Sequence, residues 1–248
     1  MKDLELHIEK INSATSPEEA FESFCSIMQQ YGYDRVAYSL ITDHPSLSLP
    51  KQHGLATSYP EDWMKFYTEK NYLPDDPVVL AIMKSRTPFF WSDLPDDPKI
   101  PETSLKILQQ GNEAGVKDGI GIPLFGKTGE VVGVGLARKE TEDGQNYQLL
   151  AGAYLLSVYF HEVFRDMIMN PVKANITDRE KEVLSWAAEG KTDDVIATLL
   201  NISENTVRYH WKNIFKKLEA NSRIYAVTKA IRLEIIVPHL VMTPYQKQ

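Results

Sequence analysis

Residues 177–218 read TDREKEVLSWAAEGKTDDVIATLLNISENTVRYHWKNIFKKL, and this run holds three helix starts. Thr177-Asp178-Arg179-Glu180 is a capping box: a Thr side chain and a Glu three residues later satisfy each other's backbone N–H groups. Val183, Leu184, Ala187 and Ala188 follow at helical spacing, and Gly190 suits the left-handed position that ends a helix. Thr192 and Asp193 start a second helix through Leu200. Asn201-Ile202 is a short turn, and Ser203 caps a third helix to about Leu218. A last helix is expected over 224–235, with Pro238 beyond it. Four short helices, two of them joined by a tight turn, describe a helix-turn-helix. In the third helix, Val207, Ile214 and Leu218 share one face and should pack inward. Arg208, Tyr209 and Lys212 then face out, and the span from Arg208 to Lys217 carries four cations and no acid. An α-helix fits the DNA major groove, where Arg and Lys contact guanine edges and phosphates. Ser203, Asn205 and Thr206 at the helix start suit a phosphate. A solvated basic face is the plainer reading of such a run taken alone; the surrounding helix-turn-helix favours DNA.

Working outward, the charge is divided along the chain. Residues 171–248 hold 12 Lys/Arg against 9 Asp/Glu, whereas the first 170 hold 15 against 25. A mildly basic module thus sits on an acidic body, which the net charge of −7 conceals. Cys25 is the sole cysteine, so no intrachain disulfide and no Cys-based zinc or redox motif can form. The longest apolar run, 151–160, falls well short of the ~20 residues of a membrane span. With no signal-peptide core at the N-terminus, a cytoplasmic protein without membrane contact is expected.

The first 168 residues read as mixed helix and strand. Ser16-Pro17-Glu18-Glu19 is a helix start. Residues 35–42 read as a strand, 60–70 and 77–85 as helices, 88–91 as a short extended piece, and 101–114 as helical. The runs 118–125 and 131–138 form a hairpin around Gly126-Lys127-Thr128-Gly129. Residues 146–168 form a long helix, apolar on most of its circumference, expected to meet the sheet and a partner subunit. The fold class expected is α+β: an N-terminal α/β/α sandwich around an antiparallel sheet (1–168), a linker (169–175), and a C-terminal all-α four-helix helix-turn-helix domain (176–248).

Tyr59, Trp63 and Tyr67 recur at a spacing of four, and are expected on one side of a helix. Asp76-Pro77 and Trp91 follow. Such a stripe reads as core, and Asp76 as the N-cap of the next helix. The polar tips support a second reading. Buried Trp N–H, Tyr O–H and carboxylate groups need partners. Two donors and one acceptor in an aromatic pocket suit an N-acyl amide. No nucleophile–base pair, Gly-x-Ser-x-Gly elbow or metal-ligand cluster accompanies them, which counts against a lactone-processing enzyme. The chain opens with helices and lacks an acidic cluster, which counts against a phospho-receiver domain.

The string Thr177-x-Arg179-Glu180-x-x-Val183-Leu184, Gly190-Lys191-Thr192, Ile196-Ala197, Ile202-Ser203-x-Asn205-Thr206-Val207, His210 and Lys216-Lys217-Leu218 resembles the LuxR-type helix-turn-helix. The order Tyr59, Trp63, Tyr67, Asp76-Pro77, Trp91, Gly119 resembles the autoinducer-binding domain of LuxR-type quorum-sensing receptors. The resemblance implies a ligand-responsive transcriptional regulator that is not an enzyme and has no cofactor. Its partners would be an N-acyl-homoserine lactone, double-stranded promoter DNA, a second copy in a homodimer and, further, RNA polymerase. Trp63 would donate to the lactone carbonyl, Tyr59 to the acyl carbonyl, and Asp76 would accept from the amide N–H. Tyr67 and Trp91 would pack on the ligand. Val79 would line the site, and Ala37, Ser39 and Ile41 the acyl side. The DNA-facing positions would be Arg208, Tyr209 and Lys212. Residues 132–136 carry no hydroxyl, and Val78 stands where some members have Thr, so the resemblance leaves the acyl 3-substituent open. A different small molecule, such as an aromatic acyl lactone, is the alternative ligand.

Overall fold

The computed structural model describes residues 2–43, 51–126, 130–140, 144–168 and 175–237. They fall into two compact units, 2–168 and 175–237. In the first, helices α1 (Lys2–Asn12) and α2 (Pro17–Gln30) precede strand β1 (Arg35–Leu40) and strand β2 (Gln52–Thr57). Helices α3 (Glu61–Glu69) and α4 (Pro77–Lys84) come next, then β3 (Phe89–Phe90), a 3-10 turn at Trp91–Asp96 and helix α5 (Leu105–Glu113). The hairpin β4 (Asp118–Phe125) and β5 (Val131–Arg138) leads into α6 (Tyr147–Ile168). The sheet order is β2-β1-β5-β4-β3, and every pairing is antiparallel. The expected sandwich is present: α1, α2 and α6 cover one face, and α4 packs on β4 and β5 from the other.

Strand alternation sorts the side chains between the two layers. Tyr38 of β1 points under α2 and α6. There Phe24 stacks on Phe160 at 4.4 Å, and the Tyr38 hydroxyl is hydrogen-bonded to His161 Nδ1 at 2.9 Å. The opposite face of β4 and β5 carries glycine. A Cβ on Gly121 would run into the Phe89 ring, and one on Gly135 would lie 2.8 Å from the Tyr59 hydroxyl. Paired Cα positions Gly121↔Gly135, Ala37↔Gly135 and Ser39↔Gly133 extend this low patch across three strands. Aromatic rings fill the space that ordinary side chains would take.

Strand β2 is a correction. No strand was expected at 52–57, since QHGLAT lacks alternation and contains a glycine. The pairing with β1 shifts register between Tyr38 and Leu40, and Gly54 has φ +61° in that irregularity. Such a bulge suits glycine and hides the strand's period. Tyr59 is also corrected: it precedes α3, whose N-cap is Pro60, and so reaches the same side as Trp63 and Tyr67 from the incoming loop. The 169–175 linker lies outside the described residues except for Asn175.

The second unit holds α7 (Asp178–Ala188), α8 (Asp193–Leu200), α9 (Glu204–Leu218) and α10 (Arg223–Arg232). The expected capping box on α7 is complete. Gly190 and Asn201 take positive φ at the two turns. Helix α10 stops at Arg232 rather than 235, because Glu234 turns left-handed and the Ile235 N–H returns to the Ala230 carbonyl. Val183, Leu184, Ile196, Val207, Ile214 and Leu218 form the centre of its core, with Trp211 added to the inward face of α9.

Candidate functional site

A hollow opens between the glycine-floored sheet and helices α3, α4 and α5, with a cavity volume of about 50 Å³, room for a few water molecules. Close-packed cores leave few voids larger than a water molecule, so a hollow of this size is a built feature. Ala37 and Ser39 of β1, with Ile41 just after the strand, line one side of it. Tyr59, Trp63 and Tyr67 line another, and Asp76, Val79 and Trp91 complete the expected set. All eight residues expected at a ligand site, Ile41 besides, therefore border one cavity.

Asp76 is 7 % exposed and serves two roles. Its Oδ1 accepts from the Val78 N–H at 2.7 Å, which caps α4; its Oδ2 accepts from the Tyr67 hydroxyl at 2.7 Å. Asp76 is thus both the expected N-cap of α4 and part of the cavity wall. Burial raises the Asp76 carboxyl above its usual range, against the opposing hydrogen bonds from Tyr67, Val78 and Val79. Tyr67 is not only a packing ring, since its hydroxyl orients this carboxylate. Burial raises the Tyr67 and Tyr59 phenols as well, so both remain protonated donors. Among the described residues the Tyr59 hydroxyl and the Trp63 N–H have no hydrogen-bond acceptor. The Trp91 N–H is buried beneath neighbouring atoms, also without an acceptor.

His53 was not foreseen. It lines the cavity from β2 and stacks on Tyr67 with ring centroids 4.2 Å apart. Its Nδ1 is hydrogen-bonded to Ser39 Oγ at 3.0 Å, and Ser39 Oγ accepts the Gly54 N–H at 2.9 Å. The Ser39 hydroxyl is therefore engaged by protein rather than simply facing a chain. Burial pushes the His53 imidazole down to about 4, so it is neutral at pH 7. Only the β1–β2 register brings it to the site; no spacing in the sequence marks it. Among the described residues no group of three His, Cys, Asp or Glu is placed to hold a metal ion.

In the second unit, Tyr209 is 62 % exposed, and Arg208, Lys212 and Asn205 are exposed beside it on α9. Arg208 donates to Glu204 at 3.1 Å. Ser203 Oγ accepts the Thr206 N–H and meets its hydroxyl at 2.8 Å, so Ser203 caps the helix. Helix α9 is held from behind. Glu180 accepts from Lys217 at 2.7 Å, and the Trp211 N–H donates to Asp193 at 3.0 Å. Asp193 also pairs with Arg223, whose guanidinium lies over the Trp211 ring. No helix among the described residues is long and apolar enough to cross a membrane.

A hollow α/β/α sensor unit and a helix-turn-helix unit on one chain define a small-molecule-responsive transcriptional regulator. The chain belongs to the LuxR family of bacterial regulators of the quorum-sensing type: residues 16–164 match the autoinducer binding domain, and residues 174–230 match the family described as bacterial regulatory proteins, luxR family. It is similar to the transcriptional activator protein AhyR of Aeromonas hydrophila, 30% identical over 94% of this chain and 92% of AhyR. The transcriptional activator protein BjaR1 of Bradyrhizobium diazoefficiens is 32% identical over 75% of this chain and 77% of BjaR1. Among solved structures, SdiA in complex with octanoyl-rac-glycerol superposes with a TM-score of 0.76 at 25% identity, covering 94% of each chain. AhyR and BjaR1 are named transcriptional activators, and the chain is a regulator of their family rather than an enzyme.

Proposed function

We propose that this protein is a cytoplasmic receptor for an N-acyl-homoserine lactone that binds promoter DNA as a homodimer and can engage RNA polymerase there. Residues 1–168 hold the signal, 169–175 link, and 176–248 bind DNA. The single observation that carries the reading is the Asp76 carboxylate, oriented by Tyr67 and Val78 N–H, on the wall of a cavity that also holds the unpaired Tyr59 and Trp63 donors. An acyl-homoserine lactone supplies the matching groups. Its amide N–H donates to Asp76, its acyl carbonyl accepts from Tyr59, and its lactone carbonyl accepts from Trp63. The acyl chain lies over Ala37, Ser39 and Ile41, with Val79, Tyr67 and Trp91 packed around the ligand.

A ligand that binds only the folded form stabilises it by mass action. Dimer symmetry then sets two α9 helices about 34 Å apart, one DNA turn, with Arg208, Tyr209 and Lys212 toward the bases. Ser203, Asn205 and Thr206 sit at the end of α9 that meets phosphate. The test is purification with and without a panel of acyl-homoserine lactones, followed by thermal unfolding and gel shift on promoter fragments. A lactone should raise the unfolding temperature and alter DNA binding, and Arg208→Ala with Lys212→Ala should abolish the shift while the fold persists. The reading fails if no lactone changes either property.

A second reading has its own support. SdiA was solved with octanoyl-rac-glycerol, an acyl ester that has no homoserine lactone ring. A non-lactone acyl amphiphile would use Tyr59 and the same apolar wall but leave Asp76 without an amide donor. Mass spectrometry of the ligand extracted from purified protein separates the two.

A further inference from the structure

We infer that Tyr209 sets the base preference of helix α9 by packing its ring on the 5-methyl group of a thymine in each half-site; this rests on the DNA-binding reading above. Helix geometry places the residue. The buried side chains Val207, Trp211, Ile214 and Leu218 define the inward direction of α9. At about 100° per residue, Tyr209 stands about 170° from that direction, Asn205 about 150° and Lys212 about 130°, whereas Arg208 stands about 90° away. Exposure agrees: Tyr209 is 62 % exposed, and Asn205, Lys212 and Lys216 are exposed along the same stripe. Tyr209, rather than any of the cations, lies directly opposite the core in the first half of the helix.

A helix about 10–12 Å across fills a major groove about 12 Å wide. Its outermost residues then face the groove floor, where the base edges lie, and residues toward its N-terminus reach them first. Tyr209 is in the second turn of α9, and Lys216 is in the last. Arg208 approaches from the flank, paired with Glu204 at 3.1 Å, and Tyr209 from directly above.

The chemistry of the floor selects the base. The Tyr209 ring meets His210 edge-on at 5.9 Å and otherwise presents an apolar face to water. Among the described residues its hydroxyl has no hydrogen-bond partner. The bases offer one apolar group on their major-groove edges, the C5-methyl of thymine; the rest are hydrogen-bond donors and acceptors. A ring laid over a cytosine amino group or a guanine carbonyl takes a polar group out of water without replacing its bond. A ring laid over the thymine methyl removes apolar area from water on both sides. Asn205, one turn earlier, favours the same kind of base pair, because its free carboxamide matches the N6–H and N7 of adenine. Lys212 and Lys216 beside the ring supply attraction to phosphate that carries no sequence information.

The experiment selects sites from a randomised duplex pool with the full chain, with and without N-octanoyl-homoserine lactone. The enriched site is then remade with uracil for each thymine in turn, which removes the methyl group alone. At one thymine position in each half-site the gel shift should weaken about fourfold, the worth of one methyl group taken out of water, and at other thymines by less than about twofold. Tyr209→Phe keeps the ring and should keep the preference. In Tyr209→Ser the thymine and uracil sites should bind alike, with an unchanged salt dependence because no phosphate contact is lost. The wild-type comparison decides the matter if Tyr209→Ser binds too weakly to read. Equal affinity for thymine and uracil at every position, or a preference that survives in Tyr209→Ser, overturns the role of Tyr209 and leaves the DNA-binding reading intact. Failure of the wild-type chain to enrich any duplex in either condition overturns both.

Discussion

Replacing Lys217 by methionine should harm the DNA-binding unit more than replacing Glu180 by alanine, although both changes break the same pair. Glu180 is the buried partner: its side chain is 3 % exposed, whereas Lys217 is 30 % exposed. Glu180→Ala removes the acceptor of the Thr177 N–H, worth about 1 kcal/mol as half of a capping box. It also removes the charged bond to Lys217, worth about 1–2 kcal/mol net because that lysine regains water. The total is about 2–3 kcal/mol. Lys217→Met instead strands a buried carboxylate, at about 3–5 kcal/mol. A unit of some 60 residues has a stability of only about 3–9 kcal/mol, so either change removes a large share.

Hydrogen exchange of the α9 amides in the full chain reads this directly. Exchange should accelerate roughly 30–150-fold in Glu180→Ala and more in Lys217→Met. Double replacement by Glu180→Met and Lys217→Met should recover part of the loss, since no charge remains buried. The reasoning is refuted if Lys217→Met proves the milder of the two, or if neither changes exchange by threefold. The sign with pH follows from the same contacts. Burial raises the Glu180 carboxyl, but the bonds from Lys217 and Thr177 outweigh it and hold it below its ordinary value. The stability it contributes is therefore full above the unfolded carboxylate range and is lost as pH falls through the lowered value.

Three further outcomes are expected. Gly135→Ala places a methyl 2.8 Å from the Tyr59 hydroxyl, so ligand affinity should fall about tenfold with little change in the apo melting temperature, measured by titration and calorimetry. Glu204→Gln frees Arg208 from its surface pair and removes an acid near phosphate; gel shifts should tighten about two- to fivefold at low salt and converge with wild type at high salt. His53 is neutral in the folded protein down to about pH 4 against an ordinary value of 6.5. The unfolded chain takes up its proton first, so stability should fall as pH drops from 6.5 toward 4. Urea titrations of His53→Phe should show that slope reduced.

The legibility of this molecule varied with how local each signal is. Helix starts are local, and Ser16, Asp76, Thr177 and Ser203 each cap the helix that their sequence announces. The hairpin 118–125 with 131–138 matched its strands residue for residue, because both are long and buried. The aromatic stripe could be read because α3 brings Trp63 and Tyr67 to one side. His53 and β2 could not be read, since their placement depends on a bulge and on pairing with residues 15 positions away. Arg208 was legible as an outward cation, but its ion pair with Glu204 is a rotamer choice on a solvated face, which periodicity does not encode.

Because the sheet offers bare backbone at Gly121, Gly133 and Gly135, chemical preference resides almost wholly in the elements laid over it. On the proposed reading, exchanging cavity-lining residues such as His53, Ile41 or Ile82 would retune which molecule is accepted, while the hydrogen-bonded platform beneath stays untouched. Recognition and foldability become separable tasks, and a receptor built this way can drift among chemically neighbouring signals without passing through an unfolded ancestor.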